Sequence, residues 1–366
     1  MTIYPSIKIG KGLKDANLKK CVELKLGDLQ LLPHAFSCST KMAHSVYALL
    51  NALIIWCLYC KNKQMLRIDD MKSVKRWLLG WVHSDFSSYK KAYQQFGGSL
   101  NMNPDVLDYF MHKKNLSVEF FKYEQNGEIK ASYFTVNGKP PGLNIACDYP
   151  VSFDELLIPA HRKARFFLPD STNKLSVGNQ HNVKNATFTL FRKKQVCWVK
   201  NAFSAKNEKN RRNEFNKFIK NGGEVKTCDE LSSEELAHIY VQLFKLRFEE
   251  NVRCYERANL IEFLSTFRNM LFGNVLYING KPCAYDLMFK SESHEAIYFD
   301  VPNGGLDKNY LHLSIGSVLM WLNIQSAKAL CASLGKKMTL SIGIYEPQWE
   351  YKKRWATVSK VGKVLC

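Results

Sequence analysis

Two stretches of this 366-residue chain gather residue types suited to chemistry on a charged substrate. In the first, Tyr298-Phe299-Asp300 reads as the end of a strand and Asn303-Gly304-Gly305 as a turn. Leu313-Ser314-Ile315-Gly316-Ser317 then opens the longest apolar helix. The free N–H groups and dipole of such a helix mouth favour an anion. Gly316 allows close backbone approach to a pyrophosphate, while Ser314 and Ser317 can cap the helix or bind oxygen. The second stretch is the tail, with Tyr345, Glu346, Trp349, Glu350, Tyr351, Lys352, Arg354 and Trp355. Lys352 and Arg354 could clamp a phosphate or carboxylate, and Glu346 or Glu350 could act as general base for an amine. Each stretch also has a plain structural reading, a simple cap for the first and core aromatics with outward charges for the second.

Little else in the sequence has catalytic spacing. Cys57-Leu58-Tyr59-Cys60 is the one redox- or metal-like pair, but it lies in an apolar run without a second Cys or His pair. The nine histidines form no ligand cluster, so no metal is expected. Eleven scattered cysteines suit buried thiols in a reducing compartment. The formal charge of +19 calls for an anionic partner, whether nucleic acid, an anionic membrane face or a phosphate-bearing substrate. Between Arg192 and Lys220, ten Lys or Arg face two Glu, interleaved with Trp198, Phe203, Phe215 and Phe218. Such a stretch can track phosphates and stack bases. The helical spacing of its Phe residues equally suits a solvated basic helix with a buried apolar stripe.

The elements that must position these residues form two similar halves after Met71. In the first, a helix over YKKAYQQF stops at Gly97-Gly98, and Pro104 opens a second helix over Asp105 to His112. Strands Leu116 to Tyr123 and Glu128 to Val136 follow, joined at Asn126-Gly127. The second half repeats that order. A basic helix runs from Asn207 to Asn221, and a capping box at Ser232 and Glu235 opens another helix. A third helix spans Leu260 to Phe272, and strands Val275 to Ile278 and Cys283 to Phe289 turn at Asn279-Gly280. Strand Ala296 to Asp300, helix Gly316 to Leu334 and strand Met338 to Ile342 complete it. The pattern predicts an α/β (α+β) fold with mostly antiparallel mixed sheets.

Residues 1–70 read as an extension. Within it Met42 to Cys60 is apolar over nineteen residues, enough to cross a bilayer. His44, Ser45 and Asn51 interrupt it and Lys flanks both ends, so a buried helix fits as well. Met71 is a candidate alternative start.

The ordered motifs Tyr93-Gln-Gln-Phe-Gly-Gly98 with Asn103-Pro-Asp-Val106, Asn210-Arg211-Arg212, Asn221-Gly-Gly223, Leu243-Phe-x-x-Arg247-Phe248, Asn303-Gly-Gly305, Leu313-Ser-x-Gly-Ser317 and Tyr351-Lys-x-Arg-Trp355 resemble the macrophage-inducible virulence family called Mig-fourteen. More distantly, Asn201 to Cys366 is similar to Fem-like acyltransferases of the acyl-CoA N-acyltransferase (GNAT) type. The resemblance implies tandem GNAT-like domains at residues 71–200 and 201–366. It also implies a bacterial protein on the cytoplasmic side of the inner membrane that helps resist cationic antimicrobial peptides. The implied activity is N-acyl transfer, with acyl-CoA or aminoacyl-tRNA as donor and an amine of an envelope component as acceptor. Ser314, Gly316 and Ser317 would hold the donor's phosphates. Asp300, Glu346 and Tyr351 become catalytic candidates, and Arg211, Arg212, Lys352 and Arg354 candidate clamps. Implied partners are anionic inner-membrane lipids or an envelope precursor, and tRNA. A DNA-binding regulator or a basic membrane-surface scaffold is the competing, non-enzymatic reading.

Overall fold

A computed structural model describes residues 68–189, 193–248 and 252–365. The apolar run 42–60, with Cys57 and Cys60, lies outside them. The chain divides into two units after Val74, and everything below concerns the second, Lys75–Cys366.

The first described element is helix α1 (Ile68–Leu78). It leads to β1 (Trp81–Ser84), α2 (Phe86–Phe96), α3 (Pro104–Lys113), β2 (Val118–Gln125) and β3 (Glu128–Val136). A long, mostly irregular segment holds only the short β4 (Ala186–Thr187) before β5 (Gln195–Val199). Then come α4 (Ala205–Lys220), β6 (Gly223–Thr227), α5 (Ser233–Phe248), α6 (Arg257–Thr266), β7 (Leu271–Phe272), β8 (Asn274–Ile278), β9 (Lys281–Glu292) and β10 (Ala296–Leu306). Last are α7 (Ile315–Ser333), β11 (Lys337–Tyr345), the single turn α8 (Lys352–Trp355), β12 (Ala356–Lys360) and β13 (Lys363–Val364).

Local chemistry explains most boundaries. Asp85 accepts from the Ser88 N–H to start α2, and Asn103 accepts from Asp105 and Val106 to start α3, with Pro104 in the first turn. Ser232 and Glu235 bond reciprocally before α5, as a capping box requires. Asn126-Gly127 and Asn279-Gly280 all have positive φ, the conformation of a tight two-residue hairpin.

The strands form a three-stranded sheet, β1-β2-β3, and an eight-stranded sheet in the order β12-β5-β11-β10-β9-β8-β6, with β7 on β9; β13 pairs β4. Within the large sheet every pairing is antiparallel except β10 with β11. Helices α5 and α6 share a core with the first half, through Leu243, Phe244 and Phe263 beside Phe110 and Leu107. Helix α7 packs separately with β5, β11 and Trp355 and with Phe218 of α4. The fold is thus α/β with mixed, mostly antiparallel sheets.

Two expectations fail. The helix expected over Leu260 to Phe272 ends at Thr266, and Leu271–Phe272 is a strand paired to Phe289 and Met288. A 3-10 turn at Arg268–Met270 follows the helix, and there the Arg268 guanidinium donates to the Cys228 and Leu231 carbonyls at 2.7 and 2.6 Å. The turn expected at Asn303-Gly304-Gly305 is instead strand, because β10 continues to Leu306 against β9.

A buried polar hub ties the halves together. The Ser291 hydroxyl on β9 bonds the Tyr93 hydroxyl at 2.5 Å and accepts from Asn103 Nδ2 at 2.7 Å. Replacing Ser291 by Ala leaves the buried Asn103 amide short of an acceptor. We expect the urea midpoint to fall by the equivalent of about 1–3 kcal/mol with an unchanged slope.

Candidate active site

The parallel register of β10 on β11 runs from Ala296↔Lys337 to Asp300↔Ser341 and stops there, although both strands continue. Each bulges at that level. The β10 register against β9 shifts between Asp300 and Asn303, and the β11 register against β5 shifts between Ser341 and Ile344. Past Asp300 and Ser341 the sheet therefore opens between its one parallel pair. Paired bulges beside an opening are a common way to aim side chains at a site.

Charged side chains occupy the backbone groups that the ladder leaves. Lys352 donates to the carbonyls of Ile342 and Ile344, each at 2.7 Å. Arg247 at the end of α5 donates to the Gly304 carbonyl at 3.1 Å and to the Tyr351 hydroxyl at 3.4 Å. Asp154 accepts from the Ile344 N–H at 3.2 Å. Gly343 has φ of +74° and lies so near Asp154 that an added Cβ would sit 3.0 Å from its carboxylate.

Asp286 on β9 is a further carboxyl group at this level of the sheet. It stands opposite Gly304, where any Cβ would overlap its Oδ1. At Gly305 a Cβ would strike the backbone of Leu243 and Phe244, so α5 crosses β10 at van der Waals contact. The Asn-Gly-Gly sequence thus serves close approach of a helix and a carboxylate. Asp286 is half-buried, with its carboxyl group enclosed by protein. That burial pushes its pKa up to about 6, against the opposing pull of Arg247 and Lys352. Burial likewise lowers the Lys352 pKa.

A deeper acidic layer adjoins the opening. Asp300 is 2 % exposed, and its pKa is held well above the carboxylate range by burial and by Asp154 and Glu155. Glu155 Oε1 accepts from Trp198 at 2.6 Å and from the Tyr298 hydroxyl at 3.0 Å, and burial raises its pKa.

Of the residues singled out from sequence, Lys352 and Tyr351 line the opening and Asp300 lies where the ladder ends. Glu346 bonds Gln348, and Glu350 bonds Tyr345 and Lys353 near the surface. Arg354 and Arg212 are exposed; Arg211 pairs with Glu214 at 2.6 Å and lies 5.5 Å over the Trp355 ring. Ser314 adopts the left-handed conformation before α7 and makes no side-chain cap bond. Of the two roles open to Ser314, capping the helix or binding oxygen, its side chain does not take the first. Gly316 is exposed at the first turn of α7, with Ser317 beside it. Among the aromatics of the basic stretch, Phe218 is fully buried, Phe215 packs on Trp321, Phe203 packs on Trp355 and Trp198 bonds Glu155. Sequence reasoning missed Asp286, Asp154 and Glu155 as site residues, and Arg247 was visible only within a motif.

A family model described as Mig-14 matches residues 103–364, a span that contains every residue of the opening. The chain belongs to the Mig-14 family. No curated protein matches the sequence. Among solved structures, FemX is similar at a TM-score of 0.51 and 8% identity, over 78% of this chain and 97% of that one. A tandem GNAT protein from the clavulanic acid biosynthesis pathway aligns at 0.36 and 9%, over 81% and 96%. The C-terminal domain of a putative lysylphosphatidylglycerol synthetase from Agrobacterium fabrum aligns at 0.34 and 11%, over 49% and 62%. This chain thus shares its overall fold with FemX. Among its described residues, no helix is long and apolar enough to cross a membrane.

If Lys352 holds the opening, Lys352→Met should leave two carbonyls without their charged donor. The expected loss is about 2–3 kcal/mol in chemical denaturation, with faster hydrogen exchange along β11 and little change at β2 and β3.

Proposed function

We propose that the opening between β10 and β11 transfers an acyl or aminoacyl group from an activated donor to an amine on an envelope component. The observation that carries this reading is the placement of Asp286 opposite Gly304, whose carbonyl Arg247 holds, at the level where β10 and β11 part; burial there pushes the Asp286 pKa up to about 6. General bases work best with a pKa near the operating pH.

In this reaction the amine lone pair attacks the donor's carbonyl carbon. A C–N bond forms, the C–S or C–O bond to the donor breaks, and Asp286 takes the proton from nitrogen and returns it to the leaving group. Arg247 offers positive charge where the carbonyl oxygen becomes anionic, and Tyr351 joins it at the mouth. Positioning of the two reactants supplies much of the acceleration. Asp300 tunes the electrostatics from the buried layer, and Glu346 stays at the rim.

The donor is acyl-CoA or an aminoacyl-tRNA, with its phosphates at Ser314, Gly316 and Ser317, and with Arg211, Arg212 and Arg354 as outlying cations. β10 leads into this helix mouth through the 3-10 turn Lys308–Leu313, so donor and acceptor sites are joined by one short stretch of chain. The family and the fold shared with FemX support this class of chemistry. The charge of +19 suits work at an anionic cytoplasmic membrane face. Acylating an amine removes its positive charge, so an aminoacyl group with two amines of its own, such as lysyl, is the transfer that would add net positive charge to the envelope, weaken attraction of cationic peptides and so promote resistance.

The test incubates purified protein with acetyl-CoA, long-chain acyl-CoA or charged tRNA, together with envelope lipid extract, and reads amide products by mass spectrometry. With the active donor, kcat/KM should fall on an acid limb centred at about pH 6 as Asp286 gains its proton. Asp286→Asn should lower the rate by roughly 10²–10⁴-fold and abolish the limb. Gly316→Glu should weaken donor binding by roughly tenfold or more through charge repulsion. Failure of every donor to bind would overturn the transferase reading, and a limb that survives in Asp286→Asn would remove Asp286 from the chemistry.

A further inference from the structure

A cavity of about 540 Å³ lies between the chain after β3, the loop at Ser171–Lys174 and β13. This volume falls in the range of small-molecule sites. Lys114, Lys139, Lys174 and Lys363 line it, and its lining contains neither Asp nor Glu. Leu143 and Phe153 are among its apolar walls.

The four lysines differ in how far they are neutralised. Lys114 is paired with Asp148 at 2.6 Å. Lys174 is drawn in: its ammonium donates to the Phe153 carbonyl and stands 3.8 Å above the Phe153 ring centroid, with no carboxylate of the described residues in hydrogen-bonding contact. Burial and the like charge of Lys194 push its pKa down to about 8, while Asp154 pulls the other way. Lys139 and Lys363 are exposed at the rim. A partly desolvated ammonium on an aromatic face, at the edge of an apolar cavity, is short of a counter-charge. An anion arriving on an apolar body would supply one.

We propose that this cavity binds an anionic amphiphile, its chain against Leu143 and Phe153 and its phosphate head among Lys139, Lys174 and Lys363. The assignment is independent of the transfer reaction. Phe153 directly precedes Asp154 and Glu155 in the chain, so an occupant would touch the strip of backbone that also serves the sheet opening.

Calorimetry of the full chain with dodecyl phosphate below its micelle concentration tests the proposal. One-to-one binding is expected, with dodecyl maltoside and inorganic phosphate each weaker by roughly tenfold or more, because each offers only half of the recognition. Lys174→Met should weaken binding roughly ten- to hundredfold. Lys139→Glu, at an exposed position, guards against a folding artefact and should also weaken it. Equal binding of the maltoside, or full affinity in both variants, would overturn the proposal. Dihexanoyl phosphatidic acid binding as tightly as dodecyl phosphate would point to a membrane lipid as the natural ligand; a clear preference for dodecyl phosphate would point to a free alkyl phosphate.

Discussion

One lysine supports the parting of the strands at the candidate site. Two parallel strands that begin in register would ordinarily keep hydrogen bonding until one of them ends. Here β10 and β11 separate after Asp300 and Ser341, and exposing unpaired carbonyls inside a protein is costly. Lys352 meets that cost at Ile342 and Ile344, Arg247 meets it at Gly304, and Asp154 does the same for the Ile344 N–H. The same charges then set the environment of Asp286. Support of the backbone and electrostatics of the site are one arrangement, and neither can be altered alone.

The legible parts of the fold were those with local causes. The caps at Asp85, Asn103 and Ser232, the hairpin tips at Asn126 and Asn279, and the antiparallel character of the sheets all follow from residues within a few positions of one another. The helix expected over Leu260 to Phe272 gives way to non-local partners: Arg268 bonds a carbonyl forty positions back, and Leu271–Phe272 pairs with β9. Asn303-Gly304-Gly305 misled for a related reason. Its composition is that of a turn, yet its glycines answer to α5 and Asp286, partners far off in sequence.

The candidate site was legible in outline only. The tail announced itself by its density of charge and aromatics, and Lys352 and Tyr351 do face the opening. Asp286 sits between Tyr285 and Leu287 in an apolar strand, where an isolated acid carries no pattern. Asp154 and Glu155 come from an irregular segment in which periodicity is silent. The basic stretch shows the converse: charge and aromatics interleave in sequence, but in the fold Phe218 is buried and Phe215, Phe203 and Trp198 are engaged by Trp321, Trp355 and Glu155.

Strand β5 has a consequence for anyone dividing the chain. It precedes α4 by only a few residues, yet it lies inside the large sheet with β11 on one side and β12 on the other. A fragment that starts after Val199 would bare two strand edges at once, directly beside the opening, and offer them to other chains. Expression of the C-terminal half as a soluble piece therefore depends on retaining Gln195–Val199, five residues that a division by sequence resemblance would assign to the other half.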